Sequence, residues 1–293
     1  MRILVTGTKG QVSRCLQDMA QDRGDVELVA VGRPELDLLK PAEVRDVVAR
    51  HRPDVVVSAA AYTGVDQAED EPDIAFAVNE TGAGAVAAAA RVMGAPVIHL
   101  STDYVFSGEL DRPYREDDQP DPQSVYGASK LAGERAVAAA NEQHIILRTS
   151  WVYSPYGKNF RNTMLRLAET RDEIPVVDDQ IGNPTSAHEI ADTILSICLG
   201  PLAQSEVTPW GVFHLAGKEA MSWADFAEKI MRESSVKGGP FAKIRRITSA
   251  EYPTRARRPM NSRLAASRLA ACFPKAGKYR SRPAGSDDRP HAG

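Results

Sequence analysis

Long apolar runs are missing from this chain of 293 residues. No stretch approaches the roughly 20 consecutive apolar residues of a membrane-spanning helix, so no membrane partner is expected. Cysteine is scarce: Cys15, Cys198 and Cys272 are odd in number and widely spaced. That excludes a disulfide framework or a zinc knuckle and suits a reducing cytoplasm. Positive charge is not in excess either. A net charge of -3 and a pI near 6.1 leave no basic field for nucleic acid. The 6 histidines show no His-x-x-x-His spacing or carboxylate pairing, so no metal site is expected, and His99 reads as a satisfied core residue. A Gly-x-Ser-x-Gly elbow is also absent, which removes the ordinary hydrolase reading. What is plentiful is apolar content, 43% of residues, enough for the core of one large domain or two intimate ones.

Strand and helix patterns alternate along the first half. Met1 to Gly7 holds an apolar run too short for a leader peptide and reads as a first strand, Ile3-Leu4-Val5. A glycine turn follows, then a helix with Val12, Leu16 and Met19 on one face. Val26–Val31, Asp54–Ser58, Pro96–Leu100 and Ile145–Leu147 are the next strands; helices are expected over Ala42–Val48, Ala75–Met93 and Tyr126–Asn141. Continuous valine runs indicate strands buried on both faces, as in a parallel sheet. The expected fold class is therefore α/β, a doubly wound parallel sheet of Rossmann type over residues 1–150. Beyond Arg148 the rhythm loosens. Helices near Asn159–Glu169, Ala187–Leu199 and Ser222–Glu233, with short strands between them, suggest a smaller mixed substrate lobe over 151–273, some segments returning to the first domain. The polar stretch 274–293 reads as a disordered tail.

Gly7-Thr8-Lys9-Gly10-Gln11-Val12 is a phosphate-binding candidate, because glycines at a first strand-helix turn let backbone approach a pyrophosphate at a helix N-terminus. A tight turn alone would look the same. The usual third glycine position is Ser13. After the second strand stands Arg33, where an arginine favours NADPH over NADH; a plain surface arginine is the competing reading. Asp37 and Leu38 are placed to border an adenine, and the small run before Ala61, Tyr62 and Thr63 to pass a dinucleotide. Ser101 and Thr102 follow the fourth strand, at the edge where such sheets place ligands. Tyr126 and Lys130 share a helix face, an arrangement that would lower the phenol's pKa and equip it for proton transfer beside Thr102. Chance supplies many Tyr-x-x-x-Lys pairs, and the motif alone decides nothing.

Taken together, the segments resemble the extended short-chain dehydrogenase/reductases, and among them the branch acting on dTDP-4-dehydrorhamnose. The resemblance rests on the glycine turn, Ala59 to Glu69, Ser101-Thr102-Asp103-Tyr104-Val105-Phe106 and Tyr126-Gly127-x-x-Lys130-x-x-Gly133-Glu134. It continues through Arg148 to Tyr153, Asp179 to Thr185 and Arg257 to Leu264. It implies NADPH-dependent reduction, NADH also being possible, of the C4 ketone of dTDP-4-dehydro-L-rhamnose to dTDP-L-rhamnose. Thr102, Tyr126 and Lys130 match the catalytic positions; Val65, Thr102, Asp103 and Trp151 fall on the sugar side, with Asn159 and Arg257 toward the diphosphate or nucleotide. Some relatives are associated with Mg²⁺ through a carboxylate in the first helix, which here reads Ser13-Arg14-Cys15-Leu16-Gln17. That speaks against Mg²⁺ and a metal-bridged dimer, and a monomer or weak homodimer is expected. The resemblance ends near Phe273, where a frameshift would explain the missing closing helix. Two alternatives stay open: a reductase of another dTDP-4-keto-6-deoxyhexose, and a non-catalytic NADP-binding regulatory subunit.

Overall fold

Isoleucine, leucine and valine fill the five strands of the first half, and these lie side by side in one sheet: β1 (Arg2–Thr6), β2 (Glu27–Val31), β3 (Val55–Ser58), β4 (Val97–Thr102) and β5 (His144–Thr149). A computed structural model describes residues 1–21, 23–203, 208–274 and 276. All neighbouring strands of the sheet are parallel, and a sixth, Gly211–His214, adds to the free edge of β5. From that edge the order is Gly211–His214, β5, β4, β3, β1, β2, so the chain reverses direction across the sheet between β1 and β3. Ligands of open α/β sheets gather at this reversal. The sheet is covered on both faces. Ile3, Val5, Val57 and Leu147 pack toward helices α1 (Gln11–Gln21) and α8 (Ala187–Ile197). Leu4, Val56 and Ile146 pack toward α2 (Pro41–His51) and α5 (Ala83–Val92). Burial on both sides is why these strands carry continuous β-branched runs rather than alternation.

Three local differences from the sequence expectations have clear causes. β4 continues to Thr102 because Ser101 and Thr102 pair with Arg148 and Thr149 of β5. Val65-Asp66-Gln67-Ala68-Glu69, polar enough to read as a loop, instead forms a single helical turn, α3 (Val65–Ala68), anchored by the fully buried Ala68. The helix expected over Ala75–Met93 begins as α4 (Pro72–Phe76) and widens into a π-helical stretch, Ala77–Gly82, before α5. That widening holds Asn79 in the interior. Its Oδ1 accepts the Tyr62 amide at 2.8 Å, and its Nδ2 donates to Tyr62 O at 3.1 Å and Ser129 Oγ at 2.9 Å. Ser129 lies on α6 (Val125–Ala140), the helix that carries Tyr126 and Lys130.

Gly133 permits this contact. A Cβ at Gly133 would overlap the Asn79 carbonyl oxygen. Alanine normally gains about 1 kcal/mol over glycine in a helix. Here the sign should reverse: Gly133→Ala is expected to destabilise by about 1–3 kcal/mol through overpacking, read as a lower denaturant midpoint at unchanged slope.

The second core joins α7 (Phe160–Ala168) and α9 (Trp223–Val236) through Met164, Phe226 and Ile230. Strands Glu173–Val177 and Lys243–Ile247 pair in parallel beside it. Ser222 and Asp225 close a capping box at the start of α9. A short α10 (Ser267–Cys272) returns to pack Leu269 and Phe273 into the sheet layer. Among the described residues no helix is long and apolar enough to cross a membrane. The expected tail over 274–293 lies, except for Pro274 and Ala276, outside the described residues.

Candidate active site

Several residues at the carboxyl edge of the sheet are held by specific hydrogen bonds. Gly7 closes the first turn with φ at 88°, its amide donating to Val31 O at 2.6 Å. That backbone region favours glycine. At Gly10 a Cβ would meet no atom within 4 Å, so the backbone before α1 is open to approach. Ser13, at the third glycine position, is buried and donates its hydroxyl hydrogen bond to the Gly7 carbonyl. Serine therefore serves as a tie across the turn. Thr6 Oγ1 accepts the amides of Ala59 and Ala60 at 3.0 Å each, fixing the small segment before Ala61, Tyr62 and Thr63. Val12 is buried in the sheet layer, Arg33 is exposed just beyond β2, and Asp37 accepts the Leu39 amide at 3.1 Å. Leu38 packs beneath the π-helical stretch at Gly82. An open glycine turn, a run of small residues and an exposed cationic side chain beyond β2 suit a dinucleotide.

Beside this cradle, Thr102 ends β4 and Tyr126 lies in the first turn of α6, whose N-terminus is capped by Ser124 Oγ accepting from Gly127 N at 3.1 Å. The Thr102 hydroxyl lies beside the Tyr126 phenol and works to lower its pKa. It also donates to Asp103 Oδ1 at 3.1 Å. Tyr104 packs its ring edgewise on Tyr126, centroids 5.5 Å apart. Burial holds the Tyr126 phenol well above the ordinary tyrosine range, opposed by the neighbouring Thr102 hydroxyl and reinforced by Asp103 and Tyr104. This corrects the expectation that Lys130 would pull the phenol down. Lys130 Nζ turns away to Leu100 O at 2.6 Å and His99 Nε2 at 3.4 Å. Its own pKa is dragged down to about 8 by burial, with Glu134 pulling the other way. Asp103 is pushed up to about 6 by burial, and its Oδ2 is buried without a hydrogen-bond partner among the described residues.

The remaining positions expected to meet cofactor or substrate divide into two groups. Trp151 holds a left-handed backbone, φ 51°, and stacks on Trp223 with centroids 3.5 Å apart. A strained non-glycine residue at a sheet edge is a feature of functional sites. Val65 opens α3, one residue before Asp66, whose carboxylate accepts from Arg258 at 2.5 Å and from the Ala256 amide at 3.1 Å. Arg258 in turn reaches Tyr104 Oη at 3.3 Å, so the segment 256–258 is strapped beside the tyrosine pair. By contrast, Gln11 and Asn159 are tied to each other: Asn159 Nδ2 donates to Gln11 Oε1 at 2.9 Å while its Oδ1 caps α7. Arg257 is exposed and bonded to Gln123 and Glu109. Asn79 and Asp66 were not singled out by spacing; their signal is three-dimensional. No group of three or more His, Cys, Asp or Glu among the described residues could hold a metal ion.

The sheet, the glycine turn and the Thr-Tyr-Lys constellation define a nucleotide-binding oxidoreductase of the short-chain dehydrogenase type. A family model described as the RmlD substrate binding domain matches residues 1–282, and the chain belongs to the dTDP-4-dehydrorhamnose reductase family. The dTDP-4-dehydrorhamnose reductase of Sinorhizobium fredii is 51% identical over 93% of this chain and 92% of its own. Among solved structures, a dTDP-4-dehydrorhamnose reductase from Clostridium acetobutylicum superposes with a TM-score of 0.85 at 37% identity, covering 92% of each chain. One from Bacillus anthracis, in complex with NADP, gives 0.84 at 35% identity, again over 92% of each.

Proposed function

We propose that this protein reduces the C4 ketone of dTDP-4-dehydro-L-rhamnose with NADPH, yielding dTDP-L-rhamnose. The observation that carries the reading is Thr102 at the end of β4 beside Tyr126 of α6, with Lys130 one helical turn on, in a chain 51% identical to a protein named dTDP-4-dehydrorhamnose reductase. The nicotinamide, when bound, supplies the hydride. Tyr126 supplies the proton. Because burial keeps the phenol neutral, it releases its proton only to an oxygen that has gained negative charge. Thr102, once its hydroxyl turns from Asp103 Oδ1, donates a hydrogen bond to the same oxygen. The Lys130 ammonium holds the nicotinamide ribose and stabilises negative charge as it appears nearby. Trp151 offers an apolar face to the deoxysugar, beside Asp103 and Val65.

The test is loss of NADPH absorbance when the purified protein meets dTDP-4-dehydrorhamnose, with dTDP-L-rhamnose identified by NMR. Tight NADPH binding without turnover of any dTDP-4-keto-6-deoxy sugar would overturn the proposal in favour of a non-catalytic role. Cofactor preference is separately readable. Arg33 is exposed beyond β2, and Arg33→Ala is expected to raise KM for NADPH roughly 10–100-fold, the worth of a charge-assisted bond, while leaving NADH unchanged.

A further inference from the structure

β3 and β4 are in register so that Ser58 faces His99, and the two side chains meet: His99 Nδ1 lies 3.1 Å from Ser58 Oγ. The other ring nitrogen, Nε2, is 3.4 Å from Lys130 Nζ. Both His99 and Ser58 are 1% exposed. An ammonium offers three donors and no acceptor, so Nε2 must carry the lone pair and Nδ1 the proton. The Nδ1–H then donates to Ser58 Oγ. A second Lys130 N–H is taken by the Leu100 carbonyl at 2.6 Å. Two fixed bonds set the rotation of the ammonium and leave its third N–H for the site.

We propose that His99 is a positioning residue for Lys130: its Nε2 accepts one N–H of the ammonium, Ser58 locks the tautomer that can do so, and the remaining N–H is presented to the ligand. The role of that N–H rests on the reductase reading above, whereas the His99–Lys130 bond does not. Other titratable groups lie on the elements around Lys130. Glu134 and Tyr126 share its helix, Arg148 on β5 neutralises Glu134, and Asp103 follows β4. Among these, Glu134 raises the Lys130 pKa and burial lowers it to about 8. His99 itself stays neutral, burial and the Lys130 charge both holding it well below the ordinary histidine range. A neutral acceptor at Nε2 therefore favours the charged form of Lys130. Removing it should let the ammonium lose its proton at lower pH.

Two measurements test this. In a pH profile of kcat, His99→Phe should move the alkaline limb down by about one unit, a tenfold loss on that limb, while His99→Gln, which restores an acceptor, should return it toward wild type. A His99→Phe profile superimposable on wild type, in a protein with unchanged circular dichroism, overturns the proposal. Independently of turnover, long-range ¹H–¹⁵N spectra of the histidine ring should show a protonated Nδ1 and a bare Nε2 that do not titrate down to pH 5, with the Nε2 signal moving in Lys130→Met. An Nε2–H tautomer, or a signal indifferent to Lys130→Met, overturns it as well. If the spectra agree and no substrate is reduced, the reductase reading fails while the positioning bond stands.

Discussion

Tyr126→Phe should bind NADPH nearly as wild type does and reduce dTDP-4-dehydrorhamnose about 10²–10⁴-fold more slowly, the usual worth of a positioned general acid. The substitution is clean. Phenylalanine keeps the ring that Tyr104 meets at 5.5 Å, and α6 is still capped by Ser124, so only the hydroxyl is lost. Lys130 is anchored on Leu100 and His99 rather than on the phenol, so the cofactor side should be undisturbed. The loss should therefore appear in kcat, with KM for NADPH close to unchanged. The pH dependence follows from the two shifts. Reduction needs a protonated phenol, and burial holds Tyr126 protonated beyond the range where an ordinary tyrosine titrates. The first requirement lost on raising pH is thus the Lys130 charge, whose pKa is lowered to about 8. Wild-type activity should fall above about pH 8. Oxidation of NADPH that persists unchanged in Tyr126→Phe would remove Tyr126 from the mechanism.

Much of this arrangement was legible in the sequence because it depends on local pattern. The valine and isoleucine runs of β1, β3, β4 and β5 announce strands buried on both faces, and both faces are covered. The glycine turn and the Ser101-Thr102 hydroxyls sit close to strand ends that periodicity alone can locate. What stayed hidden depends on contacts between distant segments. Spacing puts Tyr126 and Lys130 on one face, yet it says nothing of Leu100 O and His99, which take the ammonium from the neighbouring strand. The short run Gly211–His214 carries no sign that it will close the edge of β5; Phe213 finds its place among Ile145 and Leu147 only in three dimensions. Gln11 and Asn159 read separately as ligand contacts, and the fold joins them to each other. A polar side chain's partner is a property of packing, which single-sequence patterns do not record.

Packing also governs the largest stability effect expected here. Glu134 lies one turn beyond Lys130 on α6, and its carboxylate is paired with Arg148 of β5: Oε1 accepts Nε at 2.9 Å and Oε2 accepts Nη2 at 2.7 Å. Ser101 Oγ adds a third bond to Oε1 at 2.5 Å. Both charged side chains are only 4% exposed, and the guanidinium lies 5.0 Å from the Phe106 ring centre. Arg148 Nη1 already lacks a partner among the described residues. In Glu134→Gln an amide nitrogen would face a guanidinium nitrogen, donor against donor, around a buried charge with no counter-ion. Breaking a buried pair this way costs about 3–5 kcal/mol. That corresponds to a melting temperature lower by roughly 10 °C for a chain of this size. The same change removes the carboxylate that raises the Lys130 pKa, so the alkaline limb of activity should move to lower pH. The double variant Glu134→Leu/Arg148→Met separates the two effects. An apolar pair no longer strands a charge and should recover much of the stability, while the limb stays displaced because Lys130 still lacks its carboxylate. A Glu134→Gln protein that melts with the wild type would show that the pair is not the buried tie between β5 and α6.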